Sequence, residues 1–230
     1  MLAAVVLGSA VQSTIGFGAN LVAVPVLAVV EPAAVPAAAT MLALPLATTM
    51  AVRESDHVDW HGVGWLMVGR LPGTALGALV VALVATDTLS VVTGVSVLAA
   101  VALSAASVTI PLTRGTTVAT GLASGAMGTA TSIGGPPLAL LYQHHEGKVL
   151  RSTLAVTIGT GTVVSLAALA VARAVAGWQA VLALALLPGV GAGLLVGRVM
   201  THRVDGRWLR PAVLVFAATT AVIAIVRGLG

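Results

Sequence analysis

Ser132-Ile133-Gly134-Gly135-Pro136-Pro137 interrupts an apolar stretch running from Thr117 to Gln143, and Gly16-Phe17-Gly18, with Pro25 following, interrupts another from Leu2 to Val30. Glycine propagates a helix poorly and proline lacks the N–H that a helix interior needs, so each cluster breaks its helix in two. In hydrocarbon no water meets the freed N–H and C=O groups. Such breaks survive only where protein or a wet cavity satisfies them. A matched pair of breaks in the two halves of a chain is the sequence mark of a transporter's binding site.

The rest of the chain is built for a bilayer. Of 230 residues, 58% are hydrophobic and only 8% charged, and the mean hydropathy is +1.08. A soluble domain would carry about a quarter charged residues, so an integral membrane protein is expected. The isoelectric point near 11.1 suggests nucleic acid, but the basic residues lie singly or in short groups between apolar runs. They form no basic face, and anchoring at the membrane surface explains them better. No cysteine is present, which excludes disulfides, iron–sulfur clusters and thiol catalysis. Met1 leads into Leu2-Ala3-Ala4 without a basic region, so no cleaved signal peptide is expected.

Eight apolar stretches are long enough to enter about 30 Å of hydrocarbon: 2–30, 33–52, 62–84, 88–110, 117–143, 152–172, 178–197 and 208–226. Their connectors are too short for a soluble domain, and one membrane domain over 1–230 is expected. The halves echo each other. Thr14-Ile15-Gly16-Phe17-Gly18 resembles Ser132-Ile133-Gly134-Gly135, and Leu71-Pro72-Gly73 through Gly77 resembles Leu187-Pro188-Gly189 through Gly193, at offsets of 118 and 116 residues. A duplicated four-segment unit, with halves at about 1–112 and 113–230, follows.

Charge tests the topology. If all eight stretches cross, basic residues outside them or in their first turn divide four against six. If 117–143 instead dips in and returns as a hairpin, Arg53, Arg114, Lys148, Arg151, Arg198, Arg203, Arg207 and Arg210 share one side, with only Arg173 and Arg227 opposite. The second split obeys the positive-inside rule. By the repeat, 2–30 is a second hairpin, although no Lys or Arg there tests it. Each half is then a hairpin plus three crossings, which inverts one half against the other and brings the tips together near the midplane.

At each break the second arm begins with unpaired N–H groups and the positive end of a helix dipole, which bind anions without a charged side chain. Gly18, Ala19 and Asn20 supply donors in the first half, and Gly134 and Gly135 in the second, where Pro136 and Pro137 suit the first helical turn. Gly16, Phe17, Pro136 and Pro137 shape the tips, and Gln12, Ser13, Thr14, Thr129, Thr131 and Ser132 offer neutral hydrogen bonds. The spaced glycines Gly121/Gly125, Gly73/Gly77 and Gly189/Gly193/Gly197 are read as close helix packing. Arg70 is the one ionisable residue well inside a stretch, at an insertion cost of about 2.5–3.5 kcal/mol. With no acidic residue at that depth, an anionic substrate is its expected partner; the alternative is snorkelling to the surface.

Asp56, His57, Asp59 and His61, and also His144, His145 and Glu146, are metal-ligating types, but they sit in connectors where polar residues belong. No metal or cofactor is expected. Trp60, Trp65, Trp178 and Trp208 are placed as interface anchors, and Glu31 with Pro32 as a surface turn. Ala123-Ser124-Gly125 raises an intramembrane serine protease. That chemistry needs a histidine beside the serine, and all five histidines (57, 61, 144, 145, 202) fall in connectors. No Gly-x-x-x-x-Gly-Lys loop is present to bind ATP.

These residues resemble the sulfite exporter TauE/SafE family of bacterial membrane permeases. Gly16-Phe17-Gly18 with Val24-Pro25 is similar to its first-half signature, and Ser124-Gly125 through Ser132-Ile133-Gly134-Gly135-Pro136-Pro137-Leu138 to its second. The chain departs from the family at Ala19-Asn20, where relatives often carry more glycine. The resemblance implies a multi-pass protein of the bacterial inner membrane. It implies movement of small anions, usually sulfite or organosulfonates, driven by an ion gradient of protons or sodium. A secondary transporter of small anions is the leading expectation, an anion channel the alternative and the protease a remote one; an enzyme and a nucleic-acid partner are not expected.

Overall fold

Each apolar stretch becomes a helix or a pair of helices. The computed structural model describes residues 1–15, 17–53, 55–105, 109–200 and 206–229. Gly16, His202 and Arg203 lie outside them, as do the side chains of Arg207, Trp208 and Arg210. The chain forms α1 (Leu2–Ile15), α2 (Ala19–Val30), α3 (Ala37–Arg53), α4 (Trp60–Leu83), α5 (Thr86–Ala105), α6 (Arg114–Thr131), α7 (Gly135–Tyr142), α8 (Gly147–Val171), α9 (Gly177–Met200) and α10 (Gly206–Leu229). Among the described residues there is no strand, and five helices (within α4, α5, α8, α9 and α10) are long and apolar enough to cross a membrane. The protein is an all-α multi-pass membrane protein.

Both breaks occur where the Gly/Pro clusters predict. Ser132 takes the left-handed conformation at the end of α6 (φ 62°), and Gly18 takes it before α2 (φ 108°). Several other boundaries differ from the hydropathy reading. α8 starts at Gly147 rather than 152, so Lys148 and Arg151 are helical, and His61 belongs to the first turn of α4 rather than to a connector. α6 starts at Arg114 because Thr113 and Thr116 form a reciprocal capping box. Hydropathy misses these turns because a helix emerging at the surface keeps its hydrogen bonds while its side chains become polar. The stretch at 33–52 errs the other way: Pro32 opens a short 3₁₀ turn, and α3 begins only at Ala37.

The hairpin at 117–143 is visible in its contacts. α6 runs parallel to α4: β-carbons at Gly69, Gly73 and Gly77 would overlap the main chain at Val118, Leu122 and Ala126 in that order. Both helices start at one end of the bundle, where Arg114 stacks over Trp65 with 5.2 Å from guanidinium carbon to ring centroid. After the break α7 returns to that end. The Tyr142 hydroxyl donates to Asp59 Oδ2 at 2.8 Å, and His144 lies 3.4 Å from the Thr109 hydroxyl. At the opposite end, Gln179 Nε2 donates to the Ala33 carbonyl (2.6 Å) and Arg227 Nη1 to that of Val29 (3.0 Å), which holds the exit of α2.

The spaced glycines do pack helices. Gly121 and Gly125 of α6 lie against the main chain of Leu66 and Arg70. Gly189, Gly193 and Gly197 of α9 meet Leu2, Val6 and Ala10 of α1. Close backbone approach along such stripes supplies the van der Waals contact that lipid cannot. α4 thus pairs with α6 as α9 pairs with α1, while α5 packs on α10 and α3 on α8. Asp59 caps α4 through Gly62 N–H (2.9 Å), besides accepting from Tyr142. His61 accepts from Trp65 Nε1 (3.2 Å). These residues serve helix ends, and no group of three metal-ligating side chains occurs among the described residues.

Candidate functional site

The two breaks meet. Asn20, in the first turn of α2, donates through Nδ2 to the Ser132 carbonyl at 2.7 Å, across 112 residues of sequence. The Ser132 hydroxyl donates to the Pro36 carbonyl (2.9 Å) and contacts the Thr40 hydroxyl of α3 (2.5 Å). A non-glycine residue held left-handed costs energy that surrounding contacts must offset. Here Asn20 holds the Ser132 carbonyl, and Pro36 and Thr40 hold its hydroxyl.

Between the tips lies a cavity of about 40 Å³. One water needs about 10–15 Å³ by this measure, so there is room for about three waters or one compact oxyanion. Phe17, Gly18 and Asn20 from the first break line it, as do Ser132, Gly134, Gly135 and Pro136 from the second and Arg70 from α4. Eight of the expected site residues thus come together. Thr129 and Pro137 do not line the cavity: the Thr129 hydroxyl is fully buried and bonded to Ser165 at 2.8 Å, and Pro137 is packed inside α7. Gly16 lies outside the described residues. Gln12, Thr40, Gly128, Thr162 and Ser165 also line the cavity. Of these only Gln12 carried a sequence signal, because it lies one turn before a break.

One expected donor is already used. Ala19 N–H, at the start of α2, donates to Gln12 Oε1 at 3.1 Å, so α1 caps α2 from its own side chain. In the second half the first residues of α7 are Gly135, Pro136 and Pro137, with Gly134 at the cap and no side-chain cap bond. First-turn N–H groups have no acceptor within their helix, and the prolines have none to offer. Gly134 and Gly135 remain as the donors at the cavity wall.

Arg70 does not snorkel. It is 3% exposed at the middle of α4, and Nη1 donates to Ser124 Oγ at 2.7 Å. Ser124 Oγ in turn donates to the Gly134 carbonyl at 2.7 Å, tying the guanidinium to the second break. That hydroxyl engages Arg70 and a carbonyl rather than a histidine. Arg70 Nε has no partner among the described residues. No carboxylate is paired with Arg70 among the described residues. A buried cation that lines a cavity and lacks a carboxylate partner is complementary to a desolvated anion.

Glycines make room for this side chain. A β-carbon at Gly161 of α8 would overlap the Nε–Cζ segment of Arg70, and one at Gly128 would lie 3.3 Å from Nη2. Gly161→Ala is therefore expected to lower stability by about 1–3 kcal/mol, the usual cost of overpacking. Gly159→Ala, whose β-carbon would sit 3.8 Å from Ala47, is expected to stabilise by up to about 1 kcal/mol through helix propensity. Thermal melting of both variants in detergent gives the two signs.

No curated protein and no solved structure matches this chain. The family model described as sulfite exporter TauE/SafE does match, over residues 1–224. The broken helices, the apolar spans and this match agree: the chain belongs to the sulfite exporter TauE/SafE family of membrane anion transporters.

Proposed function

We propose that the protein is a secondary transporter of small anions, sulfite or organosulfur and sulfonate compounds, held near the bilayer midplane between the two breaks. The observation that carries this reading is the buried Arg70, lining a small cavity beside Gly134 and Gly135 without a carboxylate partner among the described residues. A broken helix and a buried cation both cost energy, and a bound oxyanion offsets both. A duplicated, inverted architecture supports alternating access. The pairing of α4 with α6 and α9 with α1 is what a two-fold relation of the halves produces.

Reconstituted protein is expected to accumulate radiolabelled sulfite, sulfate, thiosulfate or a sulfonate against an imposed proton or sodium gradient, with stimulation by the same anion loaded on the other side. Purely electrodiffusive flux without that stimulation would make the protein a channel. Flux of none of the four anions would remove the proposed substrate class.

In this reading the membrane is the bacterial inner membrane, and the end bearing Arg53, Arg114, Lys148, Arg151 and Arg198 faces the cytoplasm, with Arg173 and Arg227 outside. Single cysteines at 114, 145, 173 and 227 are free of native background. An impermeant thiol reagent is expected to reach 114 and 145 from the same side, and 173 and 227 from the other. Opposite sidedness of 114 and 145 rules out the hairpin.

A further inference from the structure

A second cavity, a vestibule of about 270 Å³, lies between the inner cavity and the end of the bundle that carries His145 and Arg151. Gln143, His145 and Arg151 stand at its outer end, while Leu103, Ala139 and Leu140 form apolar walls. It shares just two lining residues with the inner cavity, Phe17 and Pro136. Pro136 is buried in the first turn of α7 with its ring locked to the main chain. Phe17 is different. It sits in the non-helical gap between α1 and α2, is half-buried, and precedes Gly18 with its positive φ. It also borders a third void, of about 20 Å³, beside Val11, Leu21 and Leu214.

Protein interiors are close-packed, so a large ring touching three voids has unusual freedom to turn. Away from the vestibule, the void next to Asn20 has only about 10 Å³ and lies within the apolar core around Val5, Leu27 and Leu46. On that side the inner cavity is backed by packed apolar side chains. We propose that the Phe17 ring is the gate between the inner cavity and the vestibule, and that its rotation toward the third void admits the anion from the Arg151 end. The ring lies close to the second break: a β-carbon at Gly135 would be 3.5 Å from Phe17 Cβ, in ordinary contact. The ring excludes water from Arg70 while the site is closed, which strengthens the Arg70–anion attraction.

What passes the gate rests on the proposed anion function, but the gate itself is testable without transport. Ala43 lines the inner cavity and does not line the vestibule. In an Ala43→Cys background, a negatively charged, impermeant thiol reagent applied from the vestibule end should label slowly. Phe17→Ala should accelerate labelling at least about tenfold, equivalent to about 1.4 kcal/mol of barrier, and Phe17→Trp should slow it. A cysteine at 145 should label fast in every background. In proteoliposomes Phe17→Ala should add a leak without exchange stimulation. If Phe17→Ala fails to accumulate, Phe17→Leu carries the same expectation at smaller amplitude. Unchanged labelling at 43 in the Ala or Leu variant, and in the Trp variant, overturns the gate. Accelerated labelling together with no anion flux in the parent keeps the gate and overturns the substrate class instead.

Discussion

Gly135→Val is expected to abolish anion transport while the protein still folds and inserts. A β-carbon at Gly135 would meet Phe17 Cβ at 3.5 Å and Ile158 Cδ1 at 3.8 Å, ordinary contacts that require no repacking. The two methyls of valine would instead compete with the ligand for a cavity of about 40 Å³, over the N–H groups that only glycine leaves open to close approach. A residue before proline is also crowded when helical, so Gly135→Ala is the control: it carries that crowding without the methyls and should retain transport. Flux in proteoliposomes, with gel filtration and melting as measures of folding, separates the cases. If Gly135→Ala behaves normally and Gly135→Val fails only by failing to accumulate, the break is a packing device. Gly18→Val should also abolish transport, but its φ of 108° adds about 1–2 kcal/mol of backbone strain for any L-residue. Gly135 is the cleaner position.

Arg70→Gln is expected to weaken apparent anion affinity about 10- to 150-fold, the loss of a charge-assisted contact worth roughly 1.5–3 kcal/mol. Arg70→Lys should recover part of this: it keeps the charge, but it cannot hold the Ser124 hydroxyl and present further donors to the cavity from one planar fork. Abundance should move the other way. Removing a buried cation from the middle of α4 eases insertion by about 2.5–3.5 kcal/mol or less, so Arg70→Gln should accumulate at least as well as the parent. Unaltered affinity in Arg70→Gln, alongside normal folding, would make Arg70 a structural residue that merely ties α4 to Ser124.

Hydropathy and the Gly/Pro clusters were enough to locate the ten α-helices of the described residues, because a bilayer demands long apolar runs and punishes every break that lacks a purpose. The glycine stripes on α4, α6 and α9 were legible for the same reason: small residues at one-turn spacing have few uses other than close packing. Helix ends were less legible. Lys148, Arg151 and His61 look like loop residues in composition, yet the main chain stays helical where side chains reach the polar surface. At the site, the residue types were readable and their partners were not.

The sequence alone determined that this is a membrane protein with two interrupted helices and one cation at depth. Local chemistry dictates each of those, and each is written within a few neighbouring residues. Only the tertiary structure decided that Asn20 reaches Ser132, that Arg70 reaches Ser124 and through it Gly134, and that Gln12 takes the Ala19 N–H expected for a ligand. The first two contacts join residues 112 and 54 positions apart. No local propensity encodes such pairs. The Arg70–Ser124 pair follows from α4 docking on α6 along a glycine seam, where a shift of one turn would hand the donor to a different acceptor.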